Sequence, residues 1–515
     1  MVTKLLHQVI AGHPVCPKTK RSKNPNWPLH IKHVGRLDWE HIDKYISREH
    51  ITSWREIHRC FTDDAFLEAH MPTPTAPPPC TLTEDDVTAL LAHGIIEPST
   101  RDTAKGWCNV FTVDEPSKRR RRLICEPIMN EVLREVGVCE LCTDVGASVV
   151  EFQFAAQIDF PWYYGQFPLQ ESARDWYSFE TASGVYRLTT IPTGSRQAPS
   201  TSNILTASLV EITLITVCEK TGLPRSSMRG DTYLDNVRFS ANDALVVQAL
   251  MQAFRDICQE AGVTLNDPSP EEQPTTEYDF LGWHCDHTLK TLQMTQKTRE
   301  KLCTIPDNEE MTTWTLRDLM REVGLLNWVS FNLKIPITGY YYVFKMLRRK
   351  ARATAIDDPC VPWPAVRSII RKWHWDALEF GPRALAAKRQ VTVFTDACLT
   401  GYGVFIIDAD NRLRIIAGSF KHHEGIEILE TRAVVYAAEQ LENVDPQAGV
   451  EVNFFIDNTT TIAVLSKRRS AKFLLNSLAD RVFEAIRRKG YTRMTLGYIP
   501  SKYNPADPVS RGLFS

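Results

Sequence analysis

The chain has 515 residues, 43% hydrophobic and 24% charged, with a formal net charge of −2. That length excludes a single hydrophobic core and predicts roughly three or four domains. The composition matches a soluble globular protein, and the near-neutral total means that any nucleic-acid binding must be written in local clusters. No apolar run reaches the ~18 residues of a membrane helix. The start, Met1-Val2-Thr3-Lys4-Leu5-Leu6, lacks the long apolar segment of a secretion signal. An intracellular location, nucleus or cytoplasm, with no membrane partner, is therefore expected. The 13 cysteines are odd in number and scattered, which suits a reducing compartment. Cys139-Glu140-Leu141-Cys142 is a CxxC with no second pair to complete a zinc site, and Cys285 stands between His284 and His287. Ordinary buried thiols are the alternative reading.

In chain order, residues 1–79 form an N-terminal extension rich in His, Trp and charge, with a basic stretch from Lys18 to Lys23 and no function that the residues assign. It ends in Pro72-Thr73-Pro74-Thr75-Ala76-Pro77-Pro78-Pro79, a stiff, extended linker. A helix is expected from Thr83, with Glu84, Asp85 and Asp86 in its first turn and a stop at Gly94. Strands are expected at Val110–Val113, Leu123–Cys125, Phe152–Ile158, Tyr186–Leu188 and Val237–Phe239, and a long helix at Ser200–Cys218. Residues 301–390 read as helical, with apolar residues at helical spacing from Leu316 to Val329 and again from Val366 to Leu378. A fresh α/β pattern opens at Val391 and occupies 391–515.

Acidic residues stand at the ends of several of these runs. Asp159 closes Ala156-Gln157-Ile158-Asp159, and Asp235 sits in a turn between two β-like stretches. Farther on, Asp396 ends Val393-Phe394-Thr395-Asp396, Glu430 lies early on a helix, Asp457 ends Phe454-Phe455-Ile456-Asp457, and Asp507 lies near a helix start. Phosphoryl transfer on a nucleic acid uses such oxygens to hold two divalent cations about 3.5–4 Å apart. Any one of these acids alone has a plain reading as a solvated side chain. Three basic runs, Lys118–Arg122, Lys345–Arg352 and Lys467–Arg469, are candidate phosphate contacts or solvated faces.

The pattern around the first acids resembles the reverse transcriptases of retrotransposons. The matching segments are Gly94–Ser99, the two strands flanking Lys118–Arg122, Asp159, Ile191-Pro192-Thr193-Gly194-Ser195-Arg196-Gln197-Ala198-Pro199, Tyr233-Leu234-Asp235-Asn236, and Phe280-Leu281-Gly282-Trp283. The resemblance implies catalytic, metal-binding roles for Asp159 and Asp235. It implies triphosphate contact by Arg121 or Arg122 with Lys118, sugar selection by Tyr164, and nucleotide contact by Thr193 and Gly194. The sequence departs from the family at Asn236, where a second Asp is usual; a neutral Asn should lower metal affinity, and the polymerase is then intact, weakened or dead.

The second set resembles ribonuclease H, and implies that Asp396, Glu430, Asp457 and Asp507 are catalytic and bind metal. The His common in the loop before the last acid is absent from Tyr498-Ile499-Pro500-Ser501-Lys502-Tyr503. Thr395-Asp396-Ala397 and Asn504-Pro505-Ala506-Asp507-Pro508-Val509-Ser510-Arg511 look most like DIRS-type tyrosine-recombinase elements and the kinetoplastid VIPER-like ones.

The expected fold is multidomain α/β. It comprises a right-hand polymerase (fingers and palm over 80–300, helical thumb and connection over 301–390) and a C-terminal ribonuclease H-like domain. The resemblance implies two Mg²⁺ (or Mn²⁺) ions per site. The implied partners are an RNA template, a DNA primer, dNTPs and the RNA–DNA hybrid. Other element-encoded proteins are possible partners, since no protease, recombinase or zinc-knuckle signature is visible. The alternatives are an element-derived protein that keeps only ribonuclease H, and a nucleic-acid-binding scaffold.

Overall fold

The computed structural model describes residues 22–71, 76–133, 144–333, 335, 337–379, 383–384, 389–421, 424–446, 449–491 and 493–513. They fall into two units, one within residues 3–143 and 152–276, the other within 144–151 and 277–515. The Cys139/Cys142 pair lies outside the described residues, and so does Lys18–Arg21.

In the first unit, eight strands form small antiparallel sheets. They are β1 (Ile96–Ser99), β2 (Cys108–Glu115), β3 (Arg120–Pro127), β4 (Phe154–Asp159), β5 (Ser178–Thr181), β6 (Gly184–Leu188), β7 (Met228–Tyr233) and β8 (Asn236–Ala241). β2 and β3 make a two-stranded hairpin, and the other sheets have the orders β1-β6-β5 and β4-β8-β7. The helix Glu84–Ala92 starts as the sequence predicts. Thr83 Oγ1 accepts from Asp86 N–H, and Asp86 Oδ2 accepts from Thr83 N–H, a reciprocal capping box.

The helix Ala198–Thr221 is longer than its sequence signal, and it is long and apolar enough to cross a membrane, contrary to expectation. Its apolar window is 67% buried within the unit. Thr201, Thr206 and Thr213 return their hydroxyls to the carbonyls four residues back, which lets polar residues sit inside without a lost hydrogen bond.

The N-terminal residues are more than an extension. Trp39, Trp54, Phe61 and Leu67 are buried in the same core as Phe167, Tyr177 and Phe179. Trp39 Nε1 donates to Pro168 O at 2.8 Å, which satisfies the indole that burial strips of water. Each fully buried Ile, Leu or Phe here contributes about 2 kcal/mol, so residues 37–67 are part of what stabilises this unit.

In the second unit, β9 (Glu277–Phe280), β10 (Trp283–Asp286), β11 (Thr291–Met294) and β12 (Arg383–Ala384) form one sheet. This pairing draws residues 277–300, expected with the first unit, into the second, because β11 bonds to a strand nearly ninety residues later. The helices Leu316–Leu333, Tyr341–Ala353 and Pro364–Glu379 fill the expected helical region. A five-stranded sheet follows: β13 (Arg389–Ala397), β14 (Gly401–Ile407), β15 (Leu413–Ser419), β16 (Val450–Ile456) and β17 (Arg493–Tyr498). Its order is β15-β14-β13-β16-β17, with β13, β16 and β17 parallel. Val393, Val404, Val452 and Phe454 of this sheet pack with Val434, Ala438, Leu478 and Val482 from the helices Ile426–Glu439 and Phe473–Arg488.

Candidate functional site

The first unit carries a cleft of about 420 Å³ that gathers most of the acids and bases predicted for it. Asp159 ends β4 opposite Asn236, the first residue of β8, so Asp235 lies one residue from that pairing. The turn holding Asp235 is built on Leu234, whose φ of +58° is unusual for a bulky side chain. Two polar residues of the buried helix hold it there. Asn203 Oδ1 accepts from Leu234 N–H at 3.2 Å, and the Thr206 hydroxyl, whose one proton is shared with Ser202 O, lies 3.0 Å from Leu234 O.

Burial pushes the Asp235 carboxyl above its ordinary range, and the charge of Asp159 adds to it. Asp235 Oδ1 accepts from Asn236 Nδ2 at 2.9 Å, and Asp159 Oδ1 from Asn266 Nδ2 at 2.8 Å. A divalent cation suits this site by its donor chemistry, two carboxylates whose negative charges oppose one another.

The opposing wall is the β2–β3 hairpin. Strand alternation turns Arg120 and Arg122 to one face and Arg121 to the other. Lys118, Arg120 and Arg122 line the cleft, and both arginines pair with Glu115. Arg121 is the correction to the sequence reading. It is 3% exposed and clamps Asp86 with Nη1–Oδ2 at 2.8 Å and Nη2–Oδ1 at 2.7 Å, while its Nε donates to Trp27 O.

Tyr164 and Thr193 line the cleft as expected. Burial pushes the Tyr164 hydroxyl up to about 12. Gly194 does not line it. With φ +121° it lets the backbone pass Cys125, whose carbonyl would lie 2.5 Å from an added Cβ. His30, Lys32, Arg120, Trp162 and Asn266 also line the cleft and were missed. For Arg120 the period of two along β3 was a usable signal; for the others no local pattern exists.

In the second unit, β13 and β16 are parallel neighbours with Thr395 opposite Ile456, so Asp396 and Asp457, each the next residue, come to one edge of the sheet. Glu430, on the helix Ile426–Glu439, completes a group in which one oxygen from each carboxylate lies within 4.8 Å of the others. Glu430 Oε2 and Asp457 Oδ1 are buried without a hydrogen-bond partner. A buried carboxylate oxygen left bare is costly unless a cation meets it, so these residues fit a divalent metal. Burial, then Asp396 and Asp457, push Glu430 up to about 9. Burial also raises Asp396, against a hydrogen bond from the Ser510 hydroxyl that favours its charged form.

Asp507 lies outside that 4.8 Å group, although its charge helps to raise both Asp396 and Glu430. It opens the short helix Asp507–Ser510 and pairs with Arg511 at 2.8 Å. The helix reaches the sheet because Gly403 faces it: a Cβ there would lie 2.4 Å from Ala506 O and 2.7 Å from Ser510 N. Asn504 Nδ2 donates to Thr395 O at 2.9 Å and fixes the turn against β13. Ser510 and Asn504 are thus supporting residues for Asp396, and neither was singled out from sequence.

No protein-family model matches the chain, and no curated protein matches it. Solved structures similar to it include a foamy viral protease-reverse transcriptase dRH in complex with ds DNA. It is 13% identical, with TM-score 0.43, over 92% of this chain and 83% of that one. A foamy viral protease-reverse transcriptase in complex with RNA/DNA hybrid matches at 13% identity and TM-score 0.41, over 91% of this chain and 64% of that one. The same type of protein with dsDNA matches at 13% and 0.42, over 91% and 99%. At these scores the likeness decides nothing about the site, whose reading rests on its own residues.

Proposed function

We propose that the protein is an RNA-directed DNA polymerase of a retrotransposon, most like the DIRS-type and VIPER-like elements, with a ribonuclease H centre in its second unit. The observation that carries the reading is the first cleft, where Asp159 and Asp235 share one space with Lys118, Arg120 and Arg122. Carboxylates facing a cationic wall suit a polyanionic substrate handled through metal ions. Mg²⁺ (or Mn²⁺) bound by Asp159 with Asp235, and by Asp396, Glu430 and Asp457, supplies Lewis-acid activation of a hydroxyl or water and neutralises phosphate charge.

The chain's own residues do the positioning. Lys118 and Arg122 receive the triphosphate of a dNTP, Thr193 faces the nucleotide, and the Tyr164 ring fills the space a ribose 2′-hydroxyl would need. In the second unit Ser510 steadies Asp396, and Asp507 completes the acidic set. The nucleic-acid partners in this reading are a primed RNA template and then the RNA–DNA hybrid, in the nucleus or cytoplasm, beside other proteins of the element.

The test is dNTP incorporation on an RNA template with a DNA primer, in Mg²⁺ and in Mn²⁺, beside hybrid cleavage. Asp159→Asn should abolish synthesis and spare cleavage, and Glu430→Gln should do the reverse. Wild-type protein lacking both activities would sink the reading. A second reading, ribonuclease H alone, draws support from Asn236, whose amide occupies Asp235 Oδ1. Cleavage without synthesis would establish it.

A further inference from the structure

The N-terminal segment reaches the first cleft through a single β-bridge to β3. Arg121 N–H donates to Pro28 O at 2.8 Å, and His30 N–H donates to Arg121 O at 2.7 Å, a parallel bridge centred on Leu29 and Arg121. Farther along, Gly35 N–H donates to Thr264 Oγ1 at 3.0 Å and Arg36 Nη2 donates to Gly94 O at 2.9 Å. The segment is therefore fastened on both sides of Lys32, and His30 and Lys32 line the cleft with Asp159 and Asp235.

Lys32 Nζ donates to Asn266 Oδ1 at 3.1 Å, and Asn266 Nδ2 donates to Asp159 Oδ1 at 2.8 Å. One amide side chain thus separates the ammonium from the carboxylate. Four cations line the cleft. Arg120 and Arg122 already pair with Glu115, whereas Lys118 and Lys32 have no ion pair among the described residues. Lys32 is exposed, and its hydrogen-bond partner among the described residues, the Asn266 amide, is neutral. A compact ammonium held in place by an amide keeps its full charge for an arriving anion.

We propose that Lys32 contacts the polyphosphate of the incoming nucleotide, which makes the N-terminal segment a working part of the nucleotide site. The inference rests on the polymerase reading. Lys32 adds a charge-assisted hydrogen bond that the hairpin does not supply. The amide of Asn266 couples that contact to the orientation of Asp159, so nucleotide and carboxylate are set by the same residue pair.

The experiment measures equilibrium binding of a dNTP to the full chain on a dideoxy-terminated DNA primer annealed to RNA. Single-nucleotide extension is measured beside it with an extendable primer. The proteins are wild type, Lys32→Ala, Lys32→Arg and Asp159→Asn. Lys32→Ala should weaken dNTP binding and raise KM by about tenfold, the size of one charge-assisted contact. Its affinity for the primed template should hold, and Lys32→Arg should recover most of the loss. If Lys32→Ala binds dNTP within about twofold of wild type while Asp159→Asn still abolishes extension, the Lys32 assignment falls and the polymerase reading stands. If wild type neither binds a dNTP nor extends the primer in Mg²⁺ or Mn²⁺, both fall together.

Discussion

The side-chain amide of Asn236 donates to Asp235 Oδ1 at 2.9 Å. Asn236 also faces Asp159 across the β4–β8 ladder. A neutral donor therefore takes up one oxygen of Asp235 that a bound metal would otherwise use. An Asp at this position would add charge and could not donate while ionised. Asn236→Asp should raise incorporation in Mg²⁺ on the order of tenfold, the usual scale for a change beside a metal ligand. The gain should be smaller in Mn²⁺, which such O-donor sites bind more tightly than Mg²⁺. Equal or lower incorporation by the Asp variant in both metals would show that Asn236 is a working partner of Asp235.

Arg121 and Arg122 are neighbours in sequence with opposite environments. Arg121→Ala would leave Asp86 buried and unpaired, and breaking such a pair costs about 3–5 kcal/mol. A urea or thermal melt should show the loss in the first unit. Arg122 is exposed, so Arg122→Ala should change stability by less than about 0.5 kcal/mol while raising the KM for dNTP. The reverse pattern, a stable Arg121 variant with poor nucleotide binding, would contradict the placement of the two side chains.

These two arginines also show what the sequence could and could not reveal. The basic run and its flanking strands were legible, because the short apolar, β-rich runs Val110–Val113 and Leu123–Cys125 set both strands. Which arginine faces the cleft depends on strand parity and on Asp86, thirty-five residues away. The acids of the second unit were legible because Asp396 and Asp457 lie at or beside strand ends, and Glu430 and Asp507 lie early on helices. Their supports, Ser510 and Asn504, were hidden, since a serine or asparagine carries no pattern until the chain folds back. Lys32 and Asn266 meet only through long-range packing, and no spacing along the chain predicts that.

The acidic group of the second unit makes stability depend on pH. Glu430 rises from 4.5 to about 9 on folding, through burial first and then Asp396 and Asp457. The folded state thus holds a proton that the unfolded state has released. Stability is full below about 4.5 and falls as pH rises toward 9. A divalent cation bound by this group would replace the proton and offset the loss. Melts of the protein in EDTA should show a lower midpoint at about pH 8.5 than at about pH 5, and Mg²⁺ should raise the midpoint more at the higher pH. Glu430→Gln should flatten the pH dependence and remove most of the Mg²⁺ effect. A Mg²⁺ gain that is the same at both pH values would count against a metal at this group.

Gly403 tests whether Asp507 has to be delivered to the other three acids. Its Cα faces the last short helix so closely that a methyl group would meet Ala506 O at 2.4 Å and Ser510 N at 2.7 Å. Both are backbone atoms, so the helix itself must move. Ser510 would then release Asp396, and Asp507 would be carried away from the group, although no carboxylate has been altered. A displacement near 1 Å is enough to cost about a hundredfold in rate. Under the proposed function, Gly403→Ala should lower hybrid cleavage by about that factor while leaving primer extension, which that reading assigns to the first unit, unchanged. Unchanged cleavage would mean that Asp396, Glu430 and Asp457 act without the terminal helix. A loss of both activities would point instead to a general failure of folding, which a melt of the variant would reveal.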